Sequence, residues 1–422
     1  MSAQDTSARM SARGEFARGW PVLAAAFLGI AAGVSSLYFY SLGIFIKPMA
    51  AEFGWSRGAA SLGALVGTAG AALAAIPTGR LVDRLGAKRV GLGSVGLLAV
   101  GFAIVGWLTA GLASFLLLSF LLSLVTAGSS PLSFTRLVVT AFSRARGLAL
   151  GLTLAGTGVG GILIPALLAP FVAAHGWRAG FLALAVVAGL AVPILALLLA
   201  RCGTETRTAP AAEVSMAALS RLPAFALLAT TFFLAATAVL GTVVQFVPML
   251  SDRGMDAGTA GRLAALIGVA AIGGRLVAGF LLDRVAAAIV TALLFLLTAA
   301  GLAILAIGGL ELAAFGAVVT GLAVGAEVDL IAFLVARHFP PGAYGKAYGA
   351  IYACFLLGGA IGPALSGVVR DATGNYVASL LCAAGLLGVS ALVALRLRHV
   401  PPWSGPEGVR APNPGEPARA AP

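Results

Sequence analysis

Charge is what this sequence has least of. Asp, Glu, Lys and Arg make up 10% of its 422 residues, against about a quarter in ordinary soluble domains. A water-soluble globule is excluded, because too few ionised groups remain to solvate its surface. Cysteine is scarce too: Cys202, Cys354 and Cys382 have neither metal nor redox spacing, so no disulfide framework or metal site is expected. His175 and His338 stand at the ends of apolar runs, an interfacial rather than a catalytic position. There is no His-Glu zinc helix and no clustered Ser-His-Asp set, which argues against a membrane-embedded enzyme. The glycine-rich stretch 156–161 lies inside an apolar run without a phosphate loop's strand or lysine, which argues against an ATP-driven pump, and no cofactor is expected.

What fills the chain is apolar sequence, 60% of all residues. A helix needs roughly 20 apolar residues to cross the hydrocarbon layer, and runs of that length recur throughout. They predict an all-α polytopic membrane protein with 12 transmembrane helices in two pseudo-symmetric six-helix bundles. The expected spans are 20–46, 59–78, 90–110, 112–134, 147–173 and 181–200 in the first half, and 225–250, 261–282, 286–307, 313–335, 348–369 and 377–397 in the second. The domains are therefore an N-terminal arm (1–19), a first bundle (20–200), a polar linker (201–223), a second bundle (224–398) and a tail (399–422). The tail is rich in Pro, Gly and Ala and is expected to be disordered. The first run is too long for a signal-peptide core and is expected to stay as span one. The 56 glycines read as surfaces where helices approach closely.

The formal charge of +12 does not point to nucleic acid, because the basic residues are scattered among short connections. Of the 27 Lys and Arg, only Lys47, Arg57, Arg178, Arg253, Arg262 and Arg370 fall on one side, and Arg136 and Arg275 lie in or near the membrane. The remainder share the side of the termini, a bias that predicts both termini in the cytoplasm and a cell or inner membrane as the location. The partners this implies are a lipid bilayer and small solutes, with the chain working as a monomer.

An internal repeat sharpens the reading. Gly79-Arg80-Leu81-Val82-Asp83-Arg84-Leu85-Gly86-Ala87-Lys88-Arg89 joins spans two and three, and 200 residues later stands Gly279-Phe280-Leu281-Leu282-Asp283-Arg284. Gly151, Gly161 and Pro165 recur as Gly349, Gly359 and Pro363 at an offset of 198. Two parallel six-helix repeats follow. The 79–89 segment resembles the signature loop of the major facilitator superfamily, and its reduced copy after span eight fits as well. Phe142 to Gly151, Ala155 to Gly161 and Gly176-Trp177-Arg178 resemble the monocarboxylate transporter branch. The resemblance implies a secondary transporter, and a gate built from Gly79, Arg80, Asp83, Arg84, Arg89, Asp283, Arg284 and Arg136. Gly79 would let spans two and eleven touch, and Asp83 would accept from the first amides of span eleven and pair with an arginine. Alternatively, Asp83 and Arg84 only mark a helix end, and Arg136 either lines the gate or reaches for lipid phosphates.

Arg275 stands four residues before Gly279, the place of that family's substrate-binding arginine. It is about 12 Å deep at 1.5 Å per residue, too far to snorkel easily. It needs an anion, which is either a permanent carboxylate partner or a solute whose carboxylate matches the planar guanidinium. Glu327 and Asp329 sit mid-span, where a carboxylate is costly unless paired or protonated. Being two apart on a helix they point about 200° from each other, so one faces the path and the other does not. The resemblance also exposes departures: Ala271 replaces a usual coupling acid one turn before Arg275, and Tyr40 stands where several animal members carry a basic residue. The proton role therefore passes to Glu327 or Asp329. Tyr38, Tyr40, Gln245 and Tyr352 are further candidates for hydrogen bonding a solute, or else serve as interhelical ties. Transport of small organic anions with protons is the expectation, with proton-linked export of amphipathic or aromatic compounds as the alternative. Pro131, Pro165, Pro248 and Pro363 can bend their spans.

Overall fold

The structure, a computed structural model, describes residues 12–55, 57–203 and 215–403. Every regular element among them is helical. The first half comprises α1a (Ala12–Ala31), α1b (Val34–Phe53), α2 (Arg57–Leu85), α3 (Ala87–Leu108), α4a (Leu112–Val125), α4b (Pro131–Ala141) and the long element Arg146–Arg201. The second comprises α7 (Pro223–Asp252), α8 (Ala257–Leu282), α9 (Ala287–Gly308), α10 (Ala313–His338), α11 (Tyr344–Thr373) and α12 (Val377–Arg396). Arg146–Arg201 turns back on itself at Gly176, whose φ of 84° is open to glycine and strained for other residues. Its arms are α5 and α6. Ten stretches are long and apolar enough to cross a membrane. One of them turns back at Gly176 to make two spans and α4a with α4b supplies a further one, so the described residues hold twelve spans, an even number that leaves Ala12 and Trp403 on one face, here the terminal face.

Helix ends differ from the sequence expectation where polar residues extend a helix beyond the apolar run. The segment expected as a loop is mostly helix: Gly79 to Leu85 complete α2, Gly86 (φ 91°) is a one-residue break, and α3 starts at Ala87. α11 starts at Tyr344, four residues before the expected 348, which puts Gly345 and Lys346 in its first turn. The fourth span reaches Ala141 instead of stopping at 134, so Arg136 lies within a helix. Residues 12–19 of the expected arm already belong to α1a. Residues 1–11, 204–214 and 404–422, which hold most of the arm, the centre of the linker and most of the tail, lie outside the described residues.

Two spans are broken, and the breaks meet. α1 is interrupted at Ala32 and Gly33, α4 at Thr126 to Ser130, and a Cβ on Gly33 would collide with the Ser129 carbonyl. A break in hydrocarbon must satisfy the backbone groups it frees. The Val34 amide donates to Ser129 Oγ (3.1 Å), and Ser129 Oγ in turn donates to the Thr126 carbonyl (2.7 Å).

The bundles join through two helix pairs related by the internal repeat. Gly79 and Ala75 of α2 meet Gly345 and Gly349 of α11, while Gly279 and Arg275 of α8 meet Gly147 and Gly151 of α5, backbone against backbone. Without a hydrophobic drive between helices in lipid, close packing through such small residues carries the association. On the far face the repeat recurs in another form. Glu52, ending α1b, accepts from Trp177 Nε1 and Arg178 (both 2.6 Å), and Asp252, ending α7, accepts from Tyr376 (3.2 Å) and Arg370 (2.9 Å). Each bundle thus ties its first helix to the turn leading into its last.

A leucine at Gly349 has to push α11 off Ala75, and Gly349→Leu is expected to destabilise the protein by about 1–3 kcal/mol. Gly385→Leu, where nothing lies within 4 Å, is expected to leave the thermal melt in detergent unchanged.

Candidate functional site

At the terminal face each helix pair is closed by an acid from one bundle seated on a helix start of the other. The Asp83 carboxylate accepts from the amides of Gly345 and Lys346 (both 2.9 Å) and pairs with Arg136 of α4b. The Asp283 carboxylate accepts from the amides of Gly147 (2.6 Å) and Leu148 (3.0 Å). The first amides of a helix have no intrahelical acceptor and carry the positive end of its dipole, so a carboxylate is their natural ligand. Burial pushes the Asp283 carboxyl above the usual carboxylate range, against the pull of those two amides and of Arg284 and Arg146. Arg136 is therefore an inward partner of Asp83, with a side chain 14% exposed, and does not reach for phosphates.

Of the other residues expected at the gate, Gly79 packs on Gly345, while the remaining arginines do not join it. Arg80, Arg84 and Arg89 are exposed. Arg284 lies 3.5 Å over the ring of Phe280 and donates to the Phe280 carbonyl (3.1 Å), so it folds back on its own helix. Proximity in sequence to the seated acids puts them at the interface edge only.

Above the closed face, where α5, α8 and α10 meet, lies Arg275, 7% exposed. Its Nη1 donates to Asp329 Oδ1 at 3.2 Å, and this is the guanidinium's one hydrogen bond among the described residues. Asp329 is fully buried and Glu327 is 1% exposed, and among the described residues neither Asp329 Oδ2 nor Glu327 Oε1 has a hydrogen-bond partner. Of the two acids, Asp329 is thus the one turned to Arg275, as their separation around the helix requires. Gly151 makes room for this corner: a Cβ there would press on the Arg275 carbonyl at 2.7 Å and stand 3.7 Å from Asp329 Oδ2.

The solute candidates separate. Tyr352 is 8% exposed and close enough to Arg275 to feel its charge. Its ring continues a stack along α11, Tyr344, Tyr348, Tyr352 and Phe355, with centroids 5.6–5.7 Å apart. Tyr40 is 42% exposed and lies against Gly161 of α5. Tyr38 is fully buried inside the first bundle and its hydroxyl donates to the Gly63 carbonyl (3.3 Å), an interhelical tie. Gln245 is likewise an interhelical tie, donating to the Pro363 carbonyl (3.3 Å) across the α7–α11 contact. Sequence reading missed Glu15, 3% exposed on α1a, and Arg146 at the start of α5; an acid in a first helical turn is too common to single out. An apolar groove is walled by α1, α5 and α6, with Leu163, Leu167 and Leu190 among its lining and no charged residue. No group of metal-ligating side chains occurs among the described residues.

Comparison with known proteins places this arrangement. The sequence profile described as Major Facilitator Superfamily matches residues 28–311. Human monocarboxylate transporter 11 is 32% identical over 282 residues, covering 63% of this chain and 59% of that protein. The chain thus spans somewhat over half the length of that relative. Bovine (Bos taurus) monocarboxylate transporter 13 is 28% identical over 302 residues, 68% of each chain. Among solved structures, the E. coli fucose:proton symporter superposes with a TM-score of 0.71 at 19% identity, covering 90% of this chain and 98% of that one.

Removing the Asp83 charge strands Arg136 in a buried place, and Asp83→Asn is expected to cost about 3–5 kcal/mol. Arg136→Gln in the same chain should recover part of that loss, leaving a coupling of about 0.5–3 kcal/mol in a double-mutant cycle of thermal or denaturant stability.

Proposed function

The chain belongs to the major facilitator superfamily, and from that premise we propose that it is a proton-coupled secondary transporter of small, monocarboxylate-like organic anions working by alternating access. The observation that carries this reading is the Arg275 guanidinium, deep in the bilayer and using one of its five N–H groups on Asp329. A planar carboxylate fits the unused donors in a way a point charge would not. The names of the relatives, monocarboxylate transporters 11 and 13, agree with that chemistry.

Charge balance supplies the coupling. One guanidinium stands beside two buried acids, and an uncompensated charge at this depth is expensive. Asp329 neutralises Arg275, so Glu327 holds its proton throughout. An entering anion competes for Arg275; Asp329, losing its counter-charge, takes up a proton from the open side. The loaded site is then neutral again and one proton travels with each monoanion. Taking both termini as cytoplasmic, as the charge bias along the chain supports, the face sealed by Asp83 and Asp283 is the cytoplasmic one. Release needs the two acids to leave their helix starts while the far rims approach.

One feature favours a second reading. Because Arg275 already has a protein partner, it could be structural, with the aromatic stack of α11 receiving amphipathic compounds for proton-linked export.

Lactate-sized carboxylates are expected to raise the melting temperature of the purified protein, since a ligand that binds only the folded form must stabilise it. Arg275→Ala should abolish that shift; export of amphipathic compounds that survives Arg275→Ala, with no carboxylate effect in the parent protein, would move the assignment to the second reading. In proteoliposomes, Asp329→Asn is expected to abolish pH-driven uptake while leaving anion exchange intact, and Glu327→Gln, which keeps the neutral form, is expected to retain both.

A further inference from the structure

The turn that feeds α5 is gripped from two sides. On one side is Asp283 of the second bundle, on the amides of Gly147 and Leu148. On the other is Glu15 of α1a, whose carboxylate accepts from the amides of Ser143 (3.3 Å), Arg144 (3.0 and 3.1 Å) and Ala145 (3.0 Å) and from the Ser143 hydroxyl (2.6 Å). Two carboxylates from opposite bundles therefore hold five of the six amides between 143 and 148. Arg146 lies between them, its Nε donating to the Phe142 carbonyl (3.1 Å) and its charge within reach of both acids. Glu15 is itself held in place. The ring of Phe16 packs on Phe142 with centroids 5.3 Å apart, and Gly19 brings α1a down onto the same Phe142 ring.

The second bundle meets the same need differently. The turn that feeds α11, and so presents Gly345 and Lys346 to Asp83, contains Pro340 and Pro341, whose rings fix φ without help. The turn before α5 has no proline, and a glutamate from another helix stands in for that covalent restraint. The two grips on this turn also differ in kind. The Glu15 contacts lie within one bundle and survive any rocking of the bundles; the Asp283 contacts cross between bundles and must break when this face opens.

We propose that Glu15 is a positioning residue of the terminal-face gate, holding the 143–145 turn so that the first amides of α5 are preset for Asp283. This rests on the alternating-access reading above. Without Glu15 the turn must be ordered each time the gate shuts, so closing costs more while the open state is little changed. Because both acid latches close together, the penalty reaches the Asp83 latch on α11, which Glu15 does not touch.

Hydrogen exchange on the whole protein in nanodiscs reads this directly and needs neither substrate nor proton gradient. In Glu15→Gln, exchange at the amides of Gly147 and Leu148 and at those of Gly345 and Lys346 is expected to speed up together by about tenfold, the equivalent of one charge-assisted hydrogen bond. Faster exchange confined to 143–145, or no change, overturns the proposal, since a purely local structural role would stop at that turn. If Glu15→Gln shows no melting transition, Glu15→Asp, which keeps the charge with a shorter reach, is read by the same criterion. Failure of the transport reading shows elsewhere, as an unmutated protein that moves no organic anion, and leaves the exchange result interpretable.

Discussion

The hydrocarbon layer offers no hydrogen bonds, and this constraint organises the molecule. Any polar group carried into it must find its partner in the protein. The interrupted backbones of α1 and α4 do so by meeting, with Ser129 bonding to both. Arg275 and Asp329 do so incompletely, one hydrogen bond for a guanidinium and a carboxylate oxygen left over. Much of the buried interior is apolar, from Ala25 and Ala26 in α1a to Leu330 and Ile331 in α10. Against such a background, the under-satisfied corner is the place where an outside ion changes the energy most.

The internal repeat turns one device into two. A helix-ending acid seated on the start of a helix from the opposite bundle occurs at Asp83 and again at Asp283, and glycine contacts beside each bring backbones together. Carboxylate-to-amide contacts of this kind are strong when shielded and are lost as a unit when the helices separate, which suits a face with two discrete states. The copies are not equal. One is backed by prolines and the other by Glu15, and the buried arginine pairs differ as well, Arg136 with Asp83 on one side and Arg146 near Asp283 on the other.

Helix count, the bundle pair and the family were readable because each depends on composition along the chain: apolar runs, breaks, and residues recurring at a fixed offset. The seat of Asp83 could be stated as a chemical possibility because its acceptor chemistry is local. Side-chain direction was what the sequence left open. Tyr38 and Tyr40 look alike in an apolar run, yet the break at Gly33 resets the phase of α1b, and the first is sealed against Gly63 while the second is exposed. Arg80 and Arg84 share a motif with Asp83, but along α2 successive residues turn by 100° and only some face the partner bundle, while Arg89 lies beyond the break at Gly86, in α3.

The one-dimensional order of residues determined that this chain lives in a bilayer, crosses it repeatedly and is built twice over, because transfer of apolar segments from water is decided segment by segment. It also determined that a guanidinium and two acids would be buried. Which acid answers Arg275, what holds the turn before α5, and which of many arginines closes the face were decided only by tertiary structure. Those choices depend on distances between residues 53 to 130 positions apart, and a charge in a low-dielectric interior is governed by its few nearest neighbours in space.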